Sequence, residues 1–244
     1  MGGAKKTKQP LGRAAAIGLT KEKIVAEAIQ MIDETGLANF SIRDLGRRLK
    51  VYPAAIYWHI GGSKSDLFSE ICGGMMANLM AQDEVSENWR DTLRDLLGRY
   101  RTRMHAHPHI APMIGAQMRS NGAPNAPWVE IILDALYQSG LEGQDAIDAF
   151  NALVGGAVGF TTMELGAAPD SKEEWEQSLD DKMNALSAEE YPHLTMLYPQ
   201  MRNRAFVTRW KNGSDSPLSS GFEMLLDSLL EGVAARSRRR ATGG

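Results

Sequence analysis

Apolar residues along this chain recur at intervals of three and four, the repeat of helices that bury one face. Val25, Ala28, Ile29 and Ile32 make one such stripe, and Trp89, Leu93, Leu96, Leu97, Tyr100 and Met104 make a second. Phe150, Leu153, Val154, Ala157, Val158 and Thr161 form a third, and Phe222, Leu225, Leu226, Leu229, Leu230 and Val233 a fourth. No segment shows the two-residue alternation of a strand, and no internal repeat is visible. The pattern predicts an all-α fold with helices near residues 20–36, 41–49, 53–60, 64–82, 88–106, 124–139, 144–166, 171–187 and 218–235.

Several helix starts carry their own signals. Thr20 is placed to cap the first helix while Leu19 reaches Ile24, and Gly36 is a natural stop. Ser41 repeats the device, with Asp44 at the third helical position and Phe40 reaching Leu45. Ser63 with Asp66 and Ser171 with Glu174 read as further starts.

Three short helices thus fall between Thr20 and Ile60, the second and third separated by a tight turn at Lys50 to Tyr52. That is a helix-turn-helix arrangement, whose later helix enters the major groove of DNA. Here that helix is Pro53-Ala54-Ala55-Ile56-Tyr57-Trp58-His59. Proline suits its first position, where a missing N–H is harmless. With Ile56 facing inward, Ala54, Ala55, Tyr57 and His59 face outward. The charge distribution agrees. The chain has 244 residues and a formal net charge of -3, yet residues 1–64 carry 11 Lys+Arg against 5 Asp+Glu, and the remainder 16 against 25. A basic head on an acidic body implies that the head meets a polyanion, although small domains also show such imbalances by chance.

Over Leu19 to Met75 the sequence resembles the tetracycline repressor family of transcriptional regulators. The matching elements are Ile24-Val25-Ala26, Gly36-Leu37, Phe40-Ser41-Ile42-Arg43-Asp44-Leu45, Leu49-Lys50-Val51, Ile56-Tyr57-Trp58-His59-Ile60, Lys64 and Leu67-Phe68. The resemblance implies a ligand-responsive repressor that binds palindromic operator DNA as a homodimer. It implies that Arg43 reaches a phosphate or base edge, and that Ala54 and Ala55 lie against bases. Tyr57 and His59 would hold the backbone, and Lys64 would meet a phosphate. Two readings of Trp58 stand: packing between the head and the fourth helix, or a DNA contact. Three departures from the family pattern bear on these roles. Lys50 stands where glycine is frequent, Tyr52 where a capping serine is frequent, and Gly61-Gly62-Ser63 is one residue longer before Lys64. Tyr52 is therefore also a candidate DNA contact, beside Pro53.

The expected organisation is a flexible basic arm over 1–19, a DNA-binding domain over 20–64, a helical ligand-binding and dimerisation domain over 65–235, and a basic disordered tail over 236–244 holding Arg236, Arg238, Arg239 and Arg240. The resemblance implies that two body helices pair with their mates, and the segments 144–166 and 218–235 are the best matches. Gly155, Gly156 and Gly159 would permit close approach, and Phe222, Leu226, Leu229, Leu230 and Val233 are the candidate interface stripe. It also implies a small-molecule pocket. Large adaptable side chains nominate Met104, Met113, Trp128, Phe150, Phe160 and Met163 as walls of an apolar or aromatic effector site, and Glu164 as a polar anchor. The same residues serve equally as plain core, and Glu164 equally as half of a salt bridge across a dimer.

Other classes find less support. Mean hydropathy is -0.30 and the longest apolar stretch is Ala152 to Phe160, so no membrane span is expected. The basic N-terminus is not followed by an apolar segment, and the single cysteine, Cys72, allows no intrachain disulfide and no cysteine-based zinc site. A cytoplasmic protein is expected. His105-Ala106-His107-Pro108-His109 does not put its histidines on one helical face, so no metal site is expected, a single pocket-lining histidine being the alternative. No nucleophile elbow, phosphate-binding glycine loop or paired catalytic carboxylates occur, so neither an enzyme nor a cofactor is expected. A ligand-independent architectural DNA binder remains the third class.

Overall fold

The computed structural model describes residues 18–117, 122–169 and 171–242. Among them the chain forms eleven α-helices and no strand. They are α1 (Lys21–Thr35), α2 (Ile42–Leu49), α3 (Pro53–Ile60), α4 (Lys64–Met76), α5 (Trp89–Ala106), α6 (Ala111–Gln117), α7 (Gly122–Gln138), α8 (Gly143–Glu164), α9 (Lys172–Asn184), α10 (Pro192–Met201) and α11 (Ser219–Ala241). Two compact units divide between Gly74 and Met75. The division falls inside α4 rather than at residue 64, because Leu67 and Ile71 are fully buried and Phe68 meets Phe40 of the first unit. The expected basic arm lies, up to residue 17, outside the described residues.

In the first unit α1, α2 and α3 pack on one another. The expected caps form: Thr20 accepts from the Lys23 N–H, Ser41 from the Asp44 N–H at 3.2 Å, and Gly36 ends α1 at φ 79°. Ile24, Ile32, Leu45, Ile56 and Leu67 are fully buried and close a small apolar core. Cys72 is buried with them, and burial pushes its thiol pKa up to about 12.

In the second unit α8 is the central helix, packed against α5, α6, α7 and α11. Its last residue, Glu164, has no exposed side-chain surface. Arg101 of α5 grips the carboxylate with two hydrogen bonds of 2.9 and 2.7 Å, and the Leu218 N–H, just before α11, donates a third of 2.6 Å. His105 Nε2 lies 3.1 Å from the same group. Glu164 therefore finds its partner within the chain, and the alternative of an intersubunit salt bridge is withdrawn. The loop before α11 closes on the same point, since the Gly213 N–H donates to the Glu164 carbonyl at 2.9 Å. A β-carbon at Gly213 would stand 2.6 Å from Glu164 Cγ, so only glycine fits.

Several boundaries differ from the sequence pattern. The helix expected over 64–82 stops at Met76, with Asn78 in the left-handed region at φ 53°. Its terminal carbonyls are taken by α5: Arg103 donates to the carbonyls of Met75, Ala77 and Asn78. Helices α6 and α10 were not expected, and each carries a proline near its start that disguises the helical period. The expected disordered tail is helical through Ala241, held by Arg236 to Asp145 at 2.7 Å and Arg240 to Glu142 at 2.6 Å.

Burial raises the Glu164 pKa, but Arg101, the Leu218 N–H and His105 together outweigh it, so the carboxyl titrates below its ordinary 4.5. Its stabilisation is therefore complete above that ordinary value and is lost as pH falls through the lowered one. Glu164→Gln should cost about 3 kcal/mol, because it leaves Arg101 without its anion. Thermal melts across pH should show this loss at pH 7, and the difference should shrink as pH falls below 4.5 and the Glu164 carboxyl takes up its proton.

Candidate functional site

The turn between α2 and α3 depends on two backbone features. Lys50 takes φ 57° and ψ 37°, a left-handed conformation costing a non-glycine residue about 1 kcal/mol. Gly46 packs against the turn so closely that a β-carbon would lie 2.8 Å from the Val51 carbonyl. That requirement was legible as a glycine inside a short amphipathic helix, and the sequence reading passed over it. The turn delivers Pro53 to the first position of α3, with the Tyr52 carbonyl accepting from the Ala55 N–H at 2.9 Å and no side chain capping the helix.

Ile56 and Ile60 anchor α3 in the core. The opposite face therefore carries Ala54 and Trp58, both exposed, while Pro53, Ala55, Tyr57 and His59 flank it at intermediate exposure. Trp58 is 82% exposed and Tyr52 83%. Of the two readings of Trp58, packing inside the protein is thus overturned: the ring contact it makes among the described residues is a T-shaped one with His59, at 4.8 Å between ring centres. Arg43 of α2 is exposed and makes no ion pair among the described residues, whereas Arg47 pairs with Asp44 and Arg48 with Glu27 and Glu34.

Lys64 is held rather than loose. Its ammonium lies 5.5 Å from the Phe40 ring centre and 5.2 Å from that of Phe68, and it donates to the Phe40 carbonyl at 3.3 Å. The insertion before it is absorbed by Gly61 and Gly62, at φ 112° and 108°. Ser63 and Asp66 then close a reciprocal cap through bonds of 2.9 and 3.1 Å.

In the second unit the expected pocket walls do not gather in one place. Trp128 lines an apolar void with Tyr100, Leu96, Leu97, Val154 and Ala157, and its volume is about 10 Å³. That is room for roughly one water. Phe150 stacks on Trp128 from behind at 6.1 Å. Met104 and Met113 are buried core that do not line the void. Phe160 packs between Phe206 and Phe222, at 5.0 and 5.6 Å. Met163 is 59% exposed and, with Glu164, borders a second cavity of about 130 Å³. Glu164 is no free anchor, since its carboxylate is already saturated. Of the three clustered histidines, His105 faces Glu164 and His107 ends α5. Among the described residues no group of three or more His, Cys, Asp or Glu is arranged to hold a metal ion.

The interface stripe is also corrected. Phe222, Leu226, Leu230 and Val233 are buried inside the single chain, and Leu229 lies over Gly156 so closely that a β-carbon there would stand 3.0 Å from Leu229 Cδ1. They are the seam between α8 and α11. The outward rows are different: Ile147, Asn151, Gly155, Gly159 and Met163 on α8, and Met224, Ser228 and Gly232 on α11. A β-carbon at Gly155, Gly159 or Gly232 would meet nothing within 4 Å.

Residues 24–71 match the family model of bacterial regulatory proteins, tetR family, and residues 83–237 match that of the tetracyclin repressor-like C-terminal domain. An HTH-type transcriptional regulator of Saccharopolyspora erythraea is 26% identical over 182 residues, which is 74% of this chain and 75% of that protein. The Streptomyces coelicolor TetR family protein ActR, solved in complex with actinorhodin, matches the fold with a TM-score of 0.68 at 21% identity, over 88% of this chain and 98% of its own. BioQ, solved with its double-stranded DNA operator, matches with a TM-score of 0.54 at 24% identity, over 66% of this chain and 94% of its own.

The burial contrast along α3 has a direct consequence. Trp58→Ala should leave unfolding free energy within about 0.5 kcal/mol of the parent, whereas Ile56→Ala should cost about 2–4 kcal/mol. Ala157→Trp should likewise cost about 1–3 kcal/mol, because a void of about 10 Å³ cannot take an indole. Urea titrations of the three variants check all of this.

Proposed function

The chain belongs to the tetracycline repressor family of transcriptional regulators, and from that premise we propose that it is a cytoplasmic repressor that binds palindromic operator DNA as a homodimer and is released by a small apolar effector. The observation carrying the DNA reading is the outward face of α3. An exposed indole and phenol, with an exposed guanidinium on α2 that forms no ion pair among the described residues, serve no evident folding role. Against DNA they divide the work. Ala54 and Trp58 offer apolar contact to base edges such as the thymine methyl, and Arg43 and Lys64 offer charge to phosphates. Lys64 keeps two N–H donors after its bond to Phe40, and its two rings fix where they point.

Homodimer formation rests on α8 and α11. By length and composition α8 is apolar enough to cross a membrane, yet only 33% of that apolar window is buried in the chain. A helix apolar on all sides belongs inside a larger core. Three helical glycines, each costing about 1 kcal/mol relative to alanine, have no packing reason within one copy. A second copy laid on these rows supplies that reason and pairs two heads, as a palindrome requires.

The effector reading rests on the void. It is walled by apolar and aromatic side chains, and Met76, the last residue of α4, is one of them. The same helix begins at Lys64. A drug-sized ligand needs at least about 300 Å³, so it binds a widened state and shifts the population toward it.

DNA selected from a random duplex pool should be palindromic. Arg43→Ala should weaken binding to every duplex and reduce the salt slope by about 1. Trp58→Ala should cost about 1–3 kcal/mol on the selected site and little on random DNA. Equal losses on both would remove Trp58 from base readout. Gly159→Glu with Met224→Glu should give folded monomers by sedimentation, and a double variant that stays dimeric would move the interface elsewhere.

A further inference from the structure

The cavity bordered by Met163 and Glu164 shares no lining residue with the void and has the opposite chemistry. Its walls are the chain from Gly166 to Pro169, the rings of Phe206 and Trp210, and the cations Arg209 and Lys211. Arg209 is partly buried, and burial lowers its pKa from the usual guanidinium value. It forms no ion pair among the described residues, although the Glu164 carboxylate on the same wall partly offsets the effect of burial. Its hydrogen bonds run to the carbonyls of Asn203, Lys211 and Ser216, at 3.2, 3.1 and 2.9 Å. These bonds fix the plane of the fork without neutralising it, and they leave the Nε–H and one terminal N–H unspent. Lys211 adds a second charge with no ion pair among the described residues. The one acid on the wall, Glu164, is already neutralised by Arg101.

A partly buried guanidinium whose nearest carboxylate is already engaged by Arg101 gains from an anion that completes it. The volume, about 130 Å³, is close to the roughly 150 Å³ of an engineered cavity that holds benzene in another protein. The flat rings of Phe206 and Trp210 supply the aromatic part of a complement. We propose that this cavity is a second small-molecule site that takes an aromatic carboxylate, with the carboxylate on Arg209 and Lys211 and the ring against Phe206 and Trp210. The site is independent of the DNA and void readings. It adjoins the end of α8 and the start of α11, because Asn212 of the same loop donates to the carbonyls of Leu165 and Gly166, at 3.0 and 2.8 Å.

Calorimetric titration of the full chain with benzoate, benzamide and inorganic phosphate at one ionic strength tests this. Benzoate should bind saturably, with benzamide and phosphate at least roughly tenfold weaker. Arg209→Lys should weaken benzoate roughly tenfold, because a lysine loses the fork, and Lys211→Met roughly threefold. If Arg209→Lys fails to fold, the exposed Lys211→Met carries the test. Equal binding of benzamide and benzoate would overturn the proposal, as would preference for phosphate. Benzoate affinity unchanged in both variants would put the ligand elsewhere, and no saturable binding would leave Arg209 as a brace for its loop.

Discussion

A carboxylate stripped of water must be met on all sides, and the body of this protein is arranged around that demand at Glu164. Two N–H groups of Arg101, the backbone of Leu218 and the ring of His105 converge there from α5 and from the entry to α11. The helix that carries Glu164 is the one most other body helices touch. Fixing its end therefore fixes where α11 begins, and α11 then buries Phe222, Leu226, Leu230 and Val233 against the body. Ion pairs from Arg90 to Glu231, at 2.7 Å, and from Arg236 to Asp145 finish the pinning along both flanks. What is left outward on α8 and α11 follows from that geometry. The greasy stripe is consumed inside one copy, and the glycine-bearing rows stay exposed.

The DNA-binding head obeys the same economy on a smaller scale. A core of a few isoleucines and leucines must hold α3 so that one row faces inward, and Ile56 and Ile60 do so. A left-handed residue at Lys50 and a close approach at Gly46 set the angle of the turn. Once Ile56 points in, the helical period of about 3.6 residues forces Ala54 and Trp58 out. The exposure of Trp58 is thus a geometric consequence of the core.

This contrast marks how far the sequence could be read. The caps at Thr20, Ser41 and Ser63, the inward Ile56 and the all-helical class are local statements, decided by residues within one or two turns. The left-handed backbone at Lys50 was likewise visible as a non-glycine in a turn. Which stripe faces which partner is not local. Phe222 to Val233 have the same period whether they bury into their own body or against a second copy, and only the position of Glu164 and Gly156 separates the two. The expected walls failed for a related reason. Trp128 and Phe160 are equally good wall residues by type, but they sit on opposite sides of packed helices, so one lines the void and the other is wedged between Phe206 and Phe222. The cations of the second cavity lie in an irregular loop, where periodicity says nothing.

The small void bears on how an effector could act at all. If the compact body is the DNA-binding state, a ligand gains its leverage from the difference between widened and compact states. Moving a population from 1:99 to 99:1 takes about 5.5 kcal/mol of such difference. A cavity that is nearly closed without ligand has an advantage here, because the compact state then offers the ligand almost nothing. Met76, the C-terminal end of α4, is one of the walls that such an opening would move. Gly74, near its end, looks at first like a soft point. A β-carbon there would instead come within 3.3 Å of Val25 Cγ1. Glycine there serves the close approach of α1 and α4 within the head.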